Sequence, residues 1–296
     1  MEFGILGPLE VRCASDVVPI RRGLPRTILV ALVLRRGHTV PSDFLVDVLW
    51  GDELPRNPAN ALQIQVSYLR KTLGGAEPGG STVVETRAGG YALLIEPERI
   101  DAHRFEAASR TFSPLSSVRS ETELHCALDE VERALALWRG DALEDVADME
   151  FARGETARLD ELRWLATERR TDVLLRLGRH GDTLGELSEL VREMPLRERF
   201  HEQLVLALYR SGRQADALRA YGQARRTLVE ELGIEPGADL RDLERRILDQ
   251  DPALDWVAPQ EPTPATVVTA VEPSSPPGRN RPVQGPYQTA AVSCDA

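Results

Sequence analysis

Within twelve residues, Asn60, Gln63, Ile64, Gln65, Ser67, Tyr68, Arg70 and Lys71 bring together amides, hydroxyls, one exposed-looking aliphatic and two cations. That mixture suits recognition, not bond breaking. A carboxamide presents a donor beside an acceptor, which matches base edges in a DNA groove, an isoleucine can contact a thymine methyl, and Arg or Lys neutralises phosphate. Catalytic spacing is missing: the glycines of GGAEPGG are not followed by Lys and Ser or Thr, and no GxSxG, HExxH or strand-borne GxGxxG occurs. Glu230 and Glu231 sit among arginines and read as surface ion pairs, worth about 0–1 kcal/mol. Cys13, Cys126 and Cys294 are far apart without a CxxC, and His125 and Cys126, adjacent on a helix, splay about 100° apart. No catalytic residue, disulfide framework, metal site or cofactor is expected.

The elements that would position these groups follow from pattern. Advancing about 100° per residue, Leu62, Val66, Leu69 and Leu73 fall on one stripe of a helix expected from about Pro58 to Leu73 and stopped by Gly74-Gly75. The opposite face carries Asn60, Ile64, Ser67, Tyr68 and Lys71, flanked by Gln63 and Arg70, and no acidic residue occurs from Asn57 to Gly75. A solvated helix in a Glu-rich chain would show Glu–Lys pairs, so this face is suited to meet phosphate. Upstream, Phe3 to Val11 and the stretch near Val17 to Ile20 read as short strands, with Gly7-Pro8 breaking the first. Pro25 opens a buried helix closed by Gly37, and Ser42 stands as the expected N-cap of a second helix ended by Trp50-Gly51. Downstream, VVETR and YALLI flank Ala88-Gly89-Gly90 as a β-hairpin. Strands, three helices and a closing hairpin describe an α+β winged helix-turn-helix. Its wing brings Arg87 toward phosphate or the minor groove, with Arg22 (and Arg21 beside it) between the early strands as a further backbone candidate.

The 296 residues leave room for about two domains. The net charge of −11 seems to oppose nucleic acid, but residues 1–100 hold 11 basic and 11 acidic side chains, against 23 and 33 in residues 101–256. The acidity therefore belongs to the second part. Lys71 is the only lysine, which reads as the codon bias of a GC-rich genome. No apolar run reaches the roughly 18–20 residues that span a bilayer, and the start has no signal-peptide pattern, so a cytoplasmic, nucleoid-associated location without membrane contact is expected.

After a boundary near Arg99 to Asp101 everything reads helical. Leu175, Gly178, Arg179, Leu184 and Leu187 recur 34 residues later as Tyr209, Gly212, Arg213, Leu218 and Tyr221, the tetratricopeptide period. Ala217 and Ala224 permit close helix approach, and Gly233 with Ile234 and Pro236 reads as a helix stop with its hydrophobic contact. Trp138, Trp164 and Tyr221 sit on apolar helical stripes as core residues. From about Val257 the chain is rich in Pro, Ser and Thr and reads as disordered. The expected layout is a winged-helix domain over 1–100, an all-α tetratricopeptide-like helical repeat domain over 101–252 and a disordered C-terminal tail over 257–296.

The order PSDFLVDVLWGDE, NALQIQVSYLRKTLG, VVETRAGGYALLI resembles the DNA-binding domain of OmpR/PhoB-type response regulators. DAHRFEAASR, ALALWRGDALEDVAD and PLRERFHEQLVLALYRSGRQADALRAYGQARRTLVEELGIEPGADLRDLERRILDQDP resemble the bacterial transcriptional activator domain. Together they cover residues 1–252 and are similar to a small member of the Streptomyces antibiotic regulatory protein (SARP) family, without the nucleotide-binding domain of larger relatives. With no receiver domain ahead of the reader, control by aspartyl phosphorylation is not expected. The resemblance implies a transcriptional activator that binds promoter direct repeats near a −35 element as a dimer. It implies recruitment of RNA polymerase holoenzyme through its sigma factor, with Asp52 and Glu53 facing polymerase, and control of an antibiotic or other secondary-metabolite gene cluster. Tyr68 stands where those relatives often carry a base-reading arginine. Two other readings remain at this stage: a tetratricopeptide-like scaffold that binds protein only, and a ligand-gated regulator sensing a metabolite through its helical domain.

Overall fold

The computed structural model describes residues 1–14, 16–76, 83–118 and 120–259. The tail expected to be disordered lies, from residue 260 onward, outside the described residues. The first hundred residues run β1 (Glu2–Gly4), β2 (Glu10–Cys13), β3 (Asp16–Val17), α1 (Leu24–Leu34), β4 (Val40–Pro41), α2 (Ser42–Trp50), α3 (Pro58–Ala76), β5 (Val84–Arg87) and β6 (Gly90–Leu93). β1, β2 and β3 form one antiparallel sheet; β4, β6 and β5 form another with β6 in the middle. The wing is a two-residue hairpin in which Arg87 opposes Gly90, with Gly89 at φ +81°. Gly90 has a second constraint: a Cβ there would collide with the Val40 carbonyl, because β4 passes directly beside it.

Three local expectations are corrected. β4 was not foreseen; two residues pairing with β6 carry no periodicity. Ser42 is the first residue of α2 and not its cap, since its N–H donates to the Gly89 carbonyl at 2.9 Å and Pro41 is already paired with Gly90. Strand pairing sets that helix start. α3 does not stop at Gly74-Gly75 but continues to Ala76, because Leu73 is buried and Ala76 packs partly on the core. A helical glycine costs only about 1 kcal/mol, which such burial offsets.

The remainder is all-α: α4 (Asp101–Thr111), α5 (Glu121–Leu135), α6 (Glu150–Arg176), α7 (His180–Glu193), α8 (Glu198–Arg210), α9 (Gln214–Leu232) and α10 (Ala238–Leu248). The 34-residue recurrence maps onto the α6–α7 and α8–α9 turns, which are built alike. Gly178 and Gly212 take φ of +79° and +74°, and Arg179 and Arg213 donate their N–H groups to Leu174 and Leu208, each at 2.9 Å. Ala217 and Ala224 are fully buried where α9 meets α8. The chain is thus a winged helix-turn-helix followed by tetratricopeptide-like helical repeats. Gly233 ends α9 in the left-handed region, but Ile234 is exposed and not tucked against the helix as expected. Trp164 packs edge-to-face on Phe200 and Tyr221 is buried, whereas Trp138 lies past the end of α5, off any helix, edge-to-face with Phe105. Packing also continues beyond residue 252: Leu254 is buried, and Trp256 stacks over Gly178 and donates its indole N–H to the Arg176 carbonyl at 2.8 Å.

The apolar core does not divide at residue 100. One cluster extends from Phe3 through Leu69, Leu93 and Phe105 to Leu159 and Leu174, and a second gathers Leu175, Phe200, Val205, Tyr221, Leu240 and Leu254. Polar contacts reinforce the junction. Asp101, 3% exposed, accepts from Ile5 N at 2.8 Å and Leu6 N at 3.1 Å, from its neighbour Ala102 N at 2.8 Å, and from Arg139 Nη2 at 3.2 Å. Arg139 also donates Nη1 to the Pro8 carbonyl at 2.9 Å, and Leu143 N donates to the Ile5 carbonyl at 2.9 Å. Arg26 pairs with Asp145 at 2.8 Å, and Phe44 meets Phe151 edge-to-face. The first loop is therefore clamped by residues of α4 and the α5–α6 connection.

Candidate nucleic-acid interface

α3 is oriented by its apolar stripe. Leu62, Val66, Leu69 and Leu73 are all buried, packed with α1 and α2, so the opposite side must face outward. Its first turn is held by Asn57, whose side-chain oxygen accepts from Asn60 N at 3.1 Å ahead of Pro58. An N-capping Asn before Pro was a local signal that sequence reasoning missed.

The outward face exposes Asn60, Gln63, Ile64, Ser67 and Lys71; Ile64 is 57% exposed, unusual for its type and free to meet an apolar partner. Gln65 and Tyr68 lie half-buried at the margin. Tyr68 is held in place: its hydroxyl accepts from Arg21 N at 3.1 Å, and the Arg21 guanidinium stacks 4.7 Å from its ring centre.

The cations separate into two groups. Arg70, expected on the phosphate backbone, is instead engaged inside the protein: Nε donates to the Val84 carbonyl at 2.9 Å, Nη2 to Thr86 Oγ1 at 2.7 Å, and the guanidinium lies 5.8 Å from the Tyr91 ring centre. It fastens the wing to α3. Arg87 donates Nη1 to the Gly37 carbonyl at 3.0 Å and lies 3.7 Å from Glu85, with its side chain 36% exposed. Arg22 and Lys71 are exposed and form no hydrogen bond or ion pair through their side chains among the described residues. Arg56, in the loop before α3, shares that condition and was not singled out from sequence, where the loop drew notice only for Asp52 and Glu53. By contrast, arginines of α6 to α10 such as Arg170, Arg197, Arg199 and Arg225 each hold carboxylates. Three unpaired cations therefore border α3, in a chain that is acidic overall, although Arg192 of α7 and Arg241 of α10 are also exposed without a side-chain hydrogen bond or ion pair among the described residues. Asp52 and Glu53 are exposed in the α2–α3 loop, on the approach to the same helix.

Among the described residues no group of three or more His, Cys, Asp or Glu side chains could hold a metal ion, and no helix is long and apolar enough to cross a membrane.

A helix-turn-helix with a wing, coupled to stacked helical pairs, defines the class of two-module transcriptional regulators. Residues 25–93 match the family described as transcriptional regulatory protein, C terminal, and residues 100–248 match the bacterial transcriptional activator domain. The chain belongs to the Streptomyces antibiotic regulatory protein family of transcriptional activators. It is 39% identical to regulatory protein DnrI of Streptomyces peucetius over 91% of this chain and 100% of that one. It is 41% identical to regulatory protein AfsR of Streptomyces coelicolor over 86% of this chain but only 25% of that longer protein. Among solved structures, Mycobacterium tuberculosis EmbR in complex with a low-affinity phosphopeptide matches at a TM-score of 0.76 and 35% identity, over 85% of this chain and 65% of that one.

Proposed function

We propose that the chain is a sequence-specific binder of double-stranded DNA, acting in the cytoplasm and without catalysis of its own. α3 lies in the major groove, where Asn60 and Gln63 read base edges, with Ile64 available to a thymine methyl and Ser67 to either donor or acceptor groups. Gln65 and Tyr68 flank that contact. Lys71, Arg22 and Arg56 neutralise phosphates, Arg87 enters from the wing, and Arg70 holds the wing in place. The carrying observation is the outer face of α3: exposed, rich in amides, free of acidic residues and bordered by cations without ion-pair partners.

One reader spans few base pairs, and each mismatch costs only about 1–3 kcal/mol, so two copies on direct repeats beside a promoter −35 element are proposed. Asp52 and Glu53, exposed in the α2–α3 loop, would meet RNA polymerase holoenzyme and its sigma factor. The proposed target is a secondary-metabolite, antibiotic-type gene cluster, a reading supported by the family. Hydroxyl-radical footprinting on promoters beside the protein's own gene tests it. Two protected half-sites spaced by whole helical turns of about 10–10.5 bp are expected. Absence of protection at low ionic strength overturns the assignment.

A further inference from the structure

Between β3 and α1, residues 18–23 carry Arg21 and Arg22 at a corner that is fixed from both sides. Ile20 is buried, its carbonyl accepts from Arg26 Nε at 3.2 Å, and the Arg26 N–H donates to the Gly23 carbonyl at 2.9 Å. Arg26 is itself paired with Asp145 at 2.8 Å. The corner therefore holds its shape, and it exposes both Arg21 and Arg22.

Tyr68 ties this corner to α3. Its hydroxyl accepts from the Arg21 N–H at 3.1 Å, and the Arg21 guanidinium lies 4.7 Å from its ring centre. An advance of about 100° per residue places Tyr68 within about 60° of Ile64 and Lys71, one turn to either side of it. Both of those residues are exposed. A guanidinium from outside the helix is thus brought to the edge of the outward face of α3. Stacking covers the plane of an arginine and leaves its N–H edge free to meet a carboxylate or phosphate with two parallel bonds. The Arg21 side chain spends none of those donors, since it forms no hydrogen bond or ion pair among the described residues.

The electrostatics point the same way. No acidic residue occurs from Val17 to Ser42 or from Asn57 to Gly75, so the two segments that meet at Tyr68 bring no carboxylate of their own. Tyr68 is half-buried at the margin of the face, which sets its guanidinium beside the groove-reading side chains, where the phosphodiester backbone runs. A cation already ordered on a ring loses less freedom when it makes that contact.

We infer that the β3–α1 corner is a second DNA arm. Arg21 grips a backbone phosphate bordering the groove that α3 enters, and Tyr68 is the positioning residue that presents it, in place of a base contact of its own. This rests on the reading of α3 as a DNA-facing helix.

The test is fluorescence anisotropy of the full chain across salt concentrations, on a footprinted site and on a random duplex of equal length. Arg21→Ala, at an exposed position that does not endanger folding, should weaken both duplexes alike and reduce the slope of log affinity against log salt by about one. Tyr68→Leu, which frees the guanidinium to swing, should weaken both by about two- to tenfold. Tyr68→Phe, which keeps a ring beneath Arg21, should stay within about twofold of wild type. Adding Arg21→Ala to Tyr68→Leu should cost less than about half, in log affinity, of what it costs alone, because the two side chains act as one unit. Wild-type binding with an unchanged slope for Arg21→Ala overturns this inference alone. So do additive losses in which Tyr68→Leu weakens only the footprinted site, the signature of a tyrosine that reads a base. A wild-type chain that ignores every duplex at low ionic strength overturns the DNA reading together with it.

Discussion

Asp101→Ala tests whether the two modules are one folding unit. The carboxylate is sealed at the junction and accepts the N–H groups of Ile5 and Leu6, which belong to the opposite module, along with the Arg139 guanidinium. Removing it strands three buried amide donors, those of Ile5 and Leu6 and that of its neighbour Ala102, at about 1–3 kcal/mol each. The Arg139 side chain is 32% exposed, so its share of the pair is screened and adds little. The expected loss is therefore about 3–9 kcal/mol. For a chain of this size that lowers the melting temperature by about 6–18 °C, taking about 2 °C per kcal/mol. Asp101→Asn, which keeps one acceptor oxygen but turns a donor toward its neighbours, should still lose more than half of that. Urea unfolding followed by tryptophan fluorescence, with calorimetry alongside, measures it. A loss below about 1 kcal/mol would refute the clamp, because an exposed hinge residue would give that result.

Lys71→Ala should reduce the slope of log affinity against log salt by about one, whereas Arg70→Ala should weaken binding through a loosened wing while changing the slope by much less; titrations across salt separate them, and a full-unit change for Arg70 would return it to the phosphate surface. Gly90→Ala should lower the melting temperature and DNA affinity together, since the added methyl meets the Val40 carbonyl, a mismatch that costs about 1–3 kcal/mol or more; a neutral outcome would contradict the packing of β4 on the wing. Stability should fall as pH drops below the ordinary histidine value of 6.5. His201, His103 and His180 are each held lower in the fold, mainly by burial, so the unfolded chain binds protons first. Above that pH these residues should contribute no dependence, and His201→Gln should flatten the decline; a melting temperature constant between pH 7 and 5 would rule out this origin.

The readable parts of the sequence were those whose cause is local. The apolar stripe of α3, the Ala88-Gly89 turn and the paired glycines Gly178 and Gly212 each follow from spacing within a few residues, and the structure places them accordingly. What sequence could not supply depends on partners far away in the chain. Arg70 looks like any surface arginine until β5, 14 to 16 residues later, folds against it. Asp101 reads as a polar residue at a boundary, yet its acceptors serve amides 95 and 96 residues earlier. The start of α2 was misassigned for the same reason, because a hairpin formed much later takes the Ser42 N–H. The exposed outer face of α3 was legible as a set, whereas which of the cations beside it remain available had to await the fold.

The most direct measurement is the affinity of Asn60→Ala/Gln63→Ala for a footprinted site and for a random duplex of equal length, read by fluorescence anisotropy at one salt concentration. If α3 reads bases, the site affinity drops about tenfold or more while the random duplex stays within about twofold. Equal losses on both duplexes, or no loss at the site, would contradict base reading by this helix.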